Sequence, residues 1–155
     1  MAEPPEHAAN LAQLGARMAE DTPQAAALGF RLVSVEPGLA AMAVPYGKKL
    51  VGDPDSGVIA GGVVTTLLDH VCGLAVSSKL LEAGAIGAIA TLDLRIDYMR
   101  GAEPGCDITA KAHCYKLTHA IAFVRAVAFD LHEDDPVATA QAAFSLQPAT
   151  AGKAA

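Results

Sequence analysis

The chain has 155 residues, of which 52% are hydrophobic and 18% are charged. This length suits a single domain with a sizeable apolar core, and the composition excludes intrinsic disorder as the main state. The formal net charge of −6 argues against nucleic acid as a partner, because an acidic surface repels phosphates.

Cysteine, histidine and hydropathy patterns set further bounds. The three cysteines, Cys72, Cys106 and Cys114, form no CxxC pair and indicate neither a disulfide framework nor a zinc knuckle. The five histidines show no metal-ligand spacing, so no metal site is predicted. No stretch is apolar for long enough to span a membrane, and the first residues are acidic rather than basic. We therefore expect a cytoplasmic protein.

The first third of the chain predicts a helix and a hairpin. Apolar residues recur at spacings of three and four within residues 8–20, which indicates a short amphipathic helix. A Pro37-Gly38 turn joins two apolar runs within residues 29–46, a pattern typical of a hairpin. Residues 47–57 are crowded with Gly, Pro and Asp and are expected to form a loop.

The stretch SGVIAGGVVTTLLDHVCGLAVSSKLLEAG, residues 56–84, predicts one long apolar helix after a glycine turn. It places Asp69 and His70 among valines, leucines and alanines. Burying a carboxylate is costly unless the group is paired or used, so this acid requires an explanation. An exposed pair on one face of the helix is the plainer alternative.

Four strands are predicted after this helix. Residues 88–99 alternate apolar and polar side chains, which indicates a long, half-buried strand with a solvated outer face. The apolar set is Leu92, Leu94, Ile96 and Tyr98, and the polar set is Thr91, Asp93, Arg95 and Asp97. Residues 106–116, 119–131 and 137–146 follow after turns. Short connections predict that consecutive strands pair antiparallel.

These elements predict an α+β fold of one domain over residues 1–155. A lone helix that is apolar nearly all round must be wrapped by the sheet, which is the hotdog arrangement, here with a short N-terminal helix added. The ends of the chain, residues 1–7 and 148–155, lack periodicity and are expected to be disordered tails.

Three stretches resemble the PaaI-like branch of the hotdog-fold acyl-CoA thioesterases: GDPDSGVIAGGVVTTLLDHVCGLAV, ATLDLRIDYMRGAEPG and AIAFVRAVAF. The similarity runs from about residue 28 to residue 146. The family motif is an Asn, a short loop, His-Gly-Gly, and an acid two helical turns later. Gly61, Gly62 and Asp69 match it, whereas Ala60 stands in place of the His and residues 53–55 hold no Asn.

The resemblance implies an acyl-CoA thioesterase that releases a free acid and CoA. Gly61 N–H would be the oxyanion donor, and Asp69 would be the general base or nucleophile, supplied by the neighbouring subunit. Thr91 matches a Ser or Thr that helps to place the attacking water. Glycines at a helix start suit this chemistry independently, because no side chain blocks their N–H groups and the helix dipole adds positive charge.

Candidates for substrate binding come from spacing and from the resemblance. Thr65, Thr66 and Gly73 share the helix face of Asp69 and Ser77 extends it, so this face could line a pocket, although packing is the more ordinary role of the two threonines. Residues at positions where relatives contact CoA are Arg100, Lys116, Thr118 and His119. Lys48 and Lys49 are further candidates for the phosphates, and Ala75 and Ala88 for the acyl end.

The resemblance predicts a homodimer or homotetramer and no cofactor, since CoA is part of the substrate. A non-catalytic acyl-thioester binding protein of the same fold is the alternative, because the family His and Asn are missing here. A hotdog hydratase or dehydratase is disfavoured, because no His and acid pair stands at the required places.

Overall fold

The computed structural model of the chain describes residues 5–85 and 87–148. Three helical segments precede a sheet of six strands, and the long central helix lies between the second and third of these strands in sequence. The helices are α1 (Pro5–Ala16), a π-helical turn (Arg17–Asp21), α2 (Pro23–Leu28), a 3-10 turn (Lys48–Leu50) and α3 (Gly61–Glu82). The strands are β1 (Arg31–Glu36), β2 (Leu39–Val44), β3 (Val51–Asp53), β4 (Val58–Ile59), β5 (Gly87–Tyr98), β6 (Ile108–Leu117), β7 (Ile121–Phe129) and β8 (Ala138–Pro148).

The sheet wraps α3, as the sequence predicts. Six antiparallel strands run in the order β1-β2-β6-β7-β8-β5, and β3 and β4 form a separate small hairpin. Leu67, Leu68, Val71 and Leu74 of α3 are completely buried. Burying one such side chain contributes about 1.5–3 kcal/mol, so this helix anchors the core.

Helix α3 also corrects one expectation. Its 22 residues have the length and hydropathy of a membrane-spanning helix, although the sequence was expected to contain no such stretch. Most of its apolar window is buried inside the sheet, as in the core helix of a globular fold. Threonine, serine and glycine interrupt the apolar run, which is why the helix does not stand out by sequence inspection.

The N-terminal segment is more helical than predicted. Helix α1 begins at Pro5, so residues 5–7 belong to it rather than to a tail, and residues 1–4 and 149–155 lie outside the described part of the chain. The π-helical turn continues it to Asp21. Helix α2 was missed, although Pro23 at its first position and Gly29, with φ +76°, at its end are ordinary helix signals.

Strand β5 lies at the edge of the sheet, and its neighbour was predicted wrongly. It pairs with β8 along its whole length, not with the next strand in sequence, β6. The connection of nine residues between β5 and β6 is long enough to cross the other strands, unlike the tight turns that join β6, β7 and β8. The opposite side of β5 has no strand beside it among the described residues.

A β-bulge in β5 overturns the predicted strict alternation. The register with β8 shifts between Thr91 and Asp93, and Leu92 is left 59% exposed. Ile89 and Thr91 face α3 before the bulge, whereas Leu94, Ile96 and Tyr98 face it afterwards. One extra residue reverses which side chains face inward, so Thr91 leaves the outer face on which a strict period of two would place it.

Candidate functional site

The carboxylate of Asp69 meets β5 at the bulge. Asp69 lies in the middle of α3 and is half-buried, and the hydroxyl of Thr91 donates a hydrogen bond of 2.9 Å to its Oδ1. Among the described residues no hydrogen bond reaches Oδ2. The acid is therefore oriented by one oxygen, while the other remains free to accept a proton from water.

His70 is not a partner of this acid. Its ring nitrogens lie 3.2 Å from the backbone oxygen of Thr66 and 3.3 Å from the hydroxyl of Thr22, and the ring packs edge-on against Phe30. These contacts tie α3 to the N-terminal helices. The alternative of an exposed acid–histidine pair is wrong, because the two side chains point to different neighbours and both are half-buried.

The amino end of α3 presents the two predicted glycines to solvent. Gly61 is the first helical residue, and the preceding Ala60 makes no side-chain cap. The first N–H groups of a helix have no acceptor inside it, and they carry the positive end of the dipole. A side chain at Gly62 would meet nothing within 4 Å, and a cavity of about 320 Å³ adjoins Gly61. This end of α3 thus has donors and space for an oxygen anion.

Ala60 packs tightly on the β3–β4 hairpin, which the sequence described only as a loop. Its N–H donates to Leu50 O at 2.9 Å, and a Cβ built on Gly52 would lie 3.0–3.1 Å from Cα and Cβ of Ala60. Two residues without bulky side chains therefore allow the hairpin to approach the start of α3 closely. Lys48 and Lys49 directly precede Leu50 in the chain, and Nζ of Lys49 donates to Ala27 O at 3.2 Å.

Tyr98 belongs to the site and was missed by sequence reasoning. Its hydroxyl donates to Gly61 O at 2.8 Å and lies 2.5 Å from the hydroxyl of Thr65, and its ring covers Gly61 at 3.6–3.7 Å from the position of a Cβ. The sequence assigned Tyr98 to the apolar side of a strand. A tyrosine has a polar end that normally finds a partner when half-buried, and this was the available signal.

The remaining residues on the Asp69 face of α3 are two threonines and a glycine. Thr65 and Thr66 donate their hydroxyls to Gly61 O at 3.0 Å and Gly62 O at 2.9 Å, within their own helix. Gly73 is buried rather than open, since a Cβ there would meet Met18, Ile89 and Phe144 at 3.7–3.8 Å. In the single chain a pocket along this face therefore does not extend one turn beyond Asp69.

The predicted CoA contacts lie at opposite ends of the sheet. Arg100 follows β5 near the start of β6, whereas Lys116 lies at the end of β6, which spans roughly 30 Å. Thr118 closes the β6–β7 turn by bonding Ile121, and with His119 it lines an apolar cavity of about 370 Å³. One chain does not bring these groups together.

Arg100 is occupied by an internal ion pair. Its guanidinium binds both oxygens of Asp130 at 2.6 and 2.8 Å, donates to Asp135 O and Gly101 O, and directs Nε toward the Asp135 carboxylate. Four of its five N–H donors are thus used within the protein, and the buried Nε lies 3.2 Å from the Asp135 carboxylate without a hydrogen bond to it. In the single chain the guanidinium is held by protein partners, and a contact of Arg100 with a CoA phosphate stays a prediction.

This ion pair predicts a stability effect. The Arg100 hydrogen bonds hold the pKa of the fully buried Asp130 carboxyl well below its usual range. Asp130→Asn is therefore expected to lower the free energy of unfolding by about 3 kcal/mol at pH 7, since breaking a buried pair leaves a charge unpaired. Because the folded pKa is depressed, the difference should narrow as the pH falls below about 4. Urea denaturation at pH 7 and pH 3 measures both; an equal loss at the two pH values would contradict the assignment.

The chain is similar to known proteins in both sequence and fold. The model of the thioesterase superfamily matches residues 56–137. A Pseudomonas aeruginosa protein of known structure is 32% identical, with 87% of this chain and 98% of that chain covered and a TM-score of 0.77. The PaaI protein of E. coli shares the fold, with 19% identity, 91% and 94% coverage and a TM-score of 0.76.

One curated relative matches over a shorter length. A protein of Halobacterium salinarum, whose name proposes an esterase, is 40% identical over 80 residues. The match spans 49% of this chain and 52% of that protein, about half the length of each.

Proposed function

The chain belongs to the thioesterase superfamily, and from this membership and the geometry of α3 we propose that it hydrolyses an acyl-CoA to a free acid and CoA. Asp69 acts as general base or nucleophile, and Gly61 N–H stabilises the oxyanion. The observation that carries the proposal is the Asp69 carboxylate, which Thr91 orients by one oxygen while leaving the other free.

In the general-base form of the reaction, Oδ2 of Asp69 takes a proton from water as the water oxygen attacks the thioester carbonyl. The carbonyl oxygen becomes an anion and accepts a hydrogen bond from Gly61 N–H. The C–S bond then breaks, the thiolate of CoA takes up the proton, and the acid is released. Thr91 keeps the carboxylate in place throughout. Lys48, in the 3-10 turn that ends at Leu50, is the candidate cation for the phosphates of CoA, because Nζ of Lys49 donates to Ala27 O at 3.2 Å.

Two subunits must share each site. Gly61 and Asp69 are eight residues apart on one straight helix, which separates them by about 12 Å along the axis. Both groups must lie about 3 Å from the reacting atoms, so the pair on one helix cannot act on the same carbonyl. An Asp69 from one subunit and a Gly61 from another can.

The free edge of β5 provides the means of pairing. Asp69 contacts β5 at Thr91, and Gly61 contacts it at Tyr98. Antiparallel pairing of β5 with its own copy, with Thr91 opposite the partner's Tyr98, brings Asp69 of one subunit next to Gly61 of the other. The twofold axis then passes between Leu94 and Arg95, and the contact is isologous. Pairing also covers an exposed edge strand.

Thiol release is the direct test of the activity. The protein is incubated with acyl-CoAs of short, long and aromatic acyl groups, and free CoA is followed with a thiol reagent. The proposal expects turnover of at least one of them. Binding of acyl-CoA with no thiol release from any would instead favour a binding protein.

A mixing experiment tests the shared site. Asp69→Asn and Gly61→Pro subunits are each expected to be inactive alone. Each mixed dimer contains one site with both intact groups, so random reassortment should restore about a quarter of the wild-type rate. Light scattering should show a dimer or larger assembly throughout. No recovery after verified subunit exchange would show that the two groups act within one chain or not at all.

A further inference from the structure

The start of α3 has an unusual local composition for a catalytic element. Two successive glycines open the helix, and no side chain caps it. Glycine has the most flexible backbone of all residues and costs about 1 kcal/mol relative to alanine in a helix. An oxyanion donor is effective only when its direction is fixed before the reaction. Something other than the local sequence must therefore hold Gly61.

The upstream peptide of Gly61 is held by backbone contacts. Val63 N–H donates to Ala60 O at 3.0 Å, and Ala60 N–H donates to Leu50 O at 2.9 Å. Because Ala60 C=O and Gly61 N–H belong to one planar peptide, these bonds restrict the direction of the donor from one side.

The downstream peptide is held by side chains. The hydroxyls of Tyr98 and Thr65 lie 2.8 and 3.0 Å from Gly61 O, and the Tyr98 ring packs over the glycine where other residues have a Cβ. With both flanking peptides restrained, Gly61 loses the freedom that its missing side chain would otherwise give it. Tyr98 reaches this position from β5, 37 residues away in sequence.

The two hydroxyls contact Gly61 O and each other, so we assign them no direct contact with the substrate. The oxygens of Gly61, Thr65 and Tyr98 make three mutual contacts, but the two hydroxyls supply only two protons. With both protons donated inside the cluster, neither hydroxyl has one left for a carbonyl oxygen, so in this arrangement the cluster positions the donor and does not replace it.

We propose that Tyr98 and Thr65 are positioning residues that hold Gly61 so that its N–H points at the oxyanion, a role that rests on the proposed thioesterase function. Because Tyr98 also lies on the edge strand assigned to subunit pairing, it links the register of the two subunits to the placement of the donor. Strand β5 thus determines the positions of both the partner's Asp69 and the Gly61 donor.

The kinetic test compares five variants with the wild type. Tyr98→Phe keeps the ring and removes the hydroxyl, and it is expected to lower kcat about threefold to tenfold, the effect of one hydrogen bond, with KM unchanged. Thr65→Ser keeps the hydroxyl and should retain activity, whereas Thr65→Val should resemble Tyr98→Phe. The double variant with Tyr98→Phe and Thr65→Val should lose less activity than the product of the two single losses, because both side chains act on the carbonyl of Gly61. Tyr115→Phe, on the outer face beside Arg125, is the matched control.

A second measurement does not depend on turnover. Backbone 15N relaxation of Gly61 and Gly62 should give order parameters near the rigid value of about 0.85 in the wild type, falling toward about 0.6 in Tyr98→Phe but not in Tyr115→Phe. Unchanged order parameters would overturn the proposal, and so would an active Tyr98→Phe enzyme with wild-type kcat. If the glycines loosen but the wild type hydrolyses no acyl-CoA, the positioning is supported and the thioesterase function fails.

Discussion

Asp69→Asn is expected to lower the rate of thiol release by about 10²–10⁴-fold, the usual loss when a general base is removed. The amide keeps the shape of the carboxylate and can still accept the hydrogen bond of Thr91, so the bulge and the helix should be undisturbed. It cannot take the proton of water, nor can it attack as a carboxylate. CoA binding, circular dichroism and the assembly state should therefore match the wild type while turnover falls.

The control for this variant is Asp134→Asn. Asp134 is an exposed carboxylate in the β7–β8 connection, so its change alters the net charge in the same way without approaching α3. Activity should stay within twofold of the wild type. An Asp69→Asn enzyme with near wild-type turnover would identify Asp69 as a structural partner of Thr91. The proposed reaction would then have no general base or nucleophile.

The candidate site residues on α3 could be located from sequence because they lie in one continuous segment predicted as a helix, and their proposed roles rest on the family resemblance. Gly61 and Asp69 are fixed relative to each other by the geometry of a single helix, and no tertiary contact is needed to place them. The wrapping of α3 followed for the same reason: a helix that is apolar nearly all round has one plausible environment.

The contribution of β5 could not be found in this way. A bulge has no strong sequence signal, and by shifting one residue it turned Thr91 toward Asp69 and exposed Leu92. Sequence alternation assigned Thr91 to the outer face and the family resemblance assigned it to the site, two expectations that only the bulge reconciles. The pairing of β5 with β8 depends on the path of a connection that leaves no periodic pattern.

Arg100 and Tyr98 show that the contacts of a single side chain could not be predicted from the sequence. An arginine in a turn next to a predicted ligand site looks like a phosphate contact. The observed partner of Arg100 is Asp130, which lies 30 residues away and whose side chain is buried. Tyr98 is the converse case, an apparent core residue whose hydroxyl reaches the helix start across the sheet. In both cases the partner is distant in sequence, so composition and spacing carry no information about it.

Ala60, which stands where the family has a histidine, directly precedes the proposed donor Gly61. Ala60 contacts the hairpin at Gly52, and its backbone, not its side chain, leads into the donor peptide. Gly61 N–H is therefore available whatever side chain precedes it. The wild type is expected to be active with Ala60 as it stands, and release of thiol by Ala60→His but not by the wild type would instead favour the binding protein.

Gly61→Pro is expected to lower kcat by about 10²–10³-fold, the loss measured when one oxyanion donor is removed. Proline suits the site otherwise: it is favoured at the first position of a helix, and Ala60 before it is already extended, with ψ 137°. Gly61→Ala is the matched control, because it keeps the N–H and adds a Cβ at ordinary contact distance, 3.6 Å, from Tyr98. It should stay within a few-fold of the wild type. Equal losses in the two variants, with intact circular dichroism and dimers, would mean that space beside Tyr98 matters and the Gly61 N–H does not.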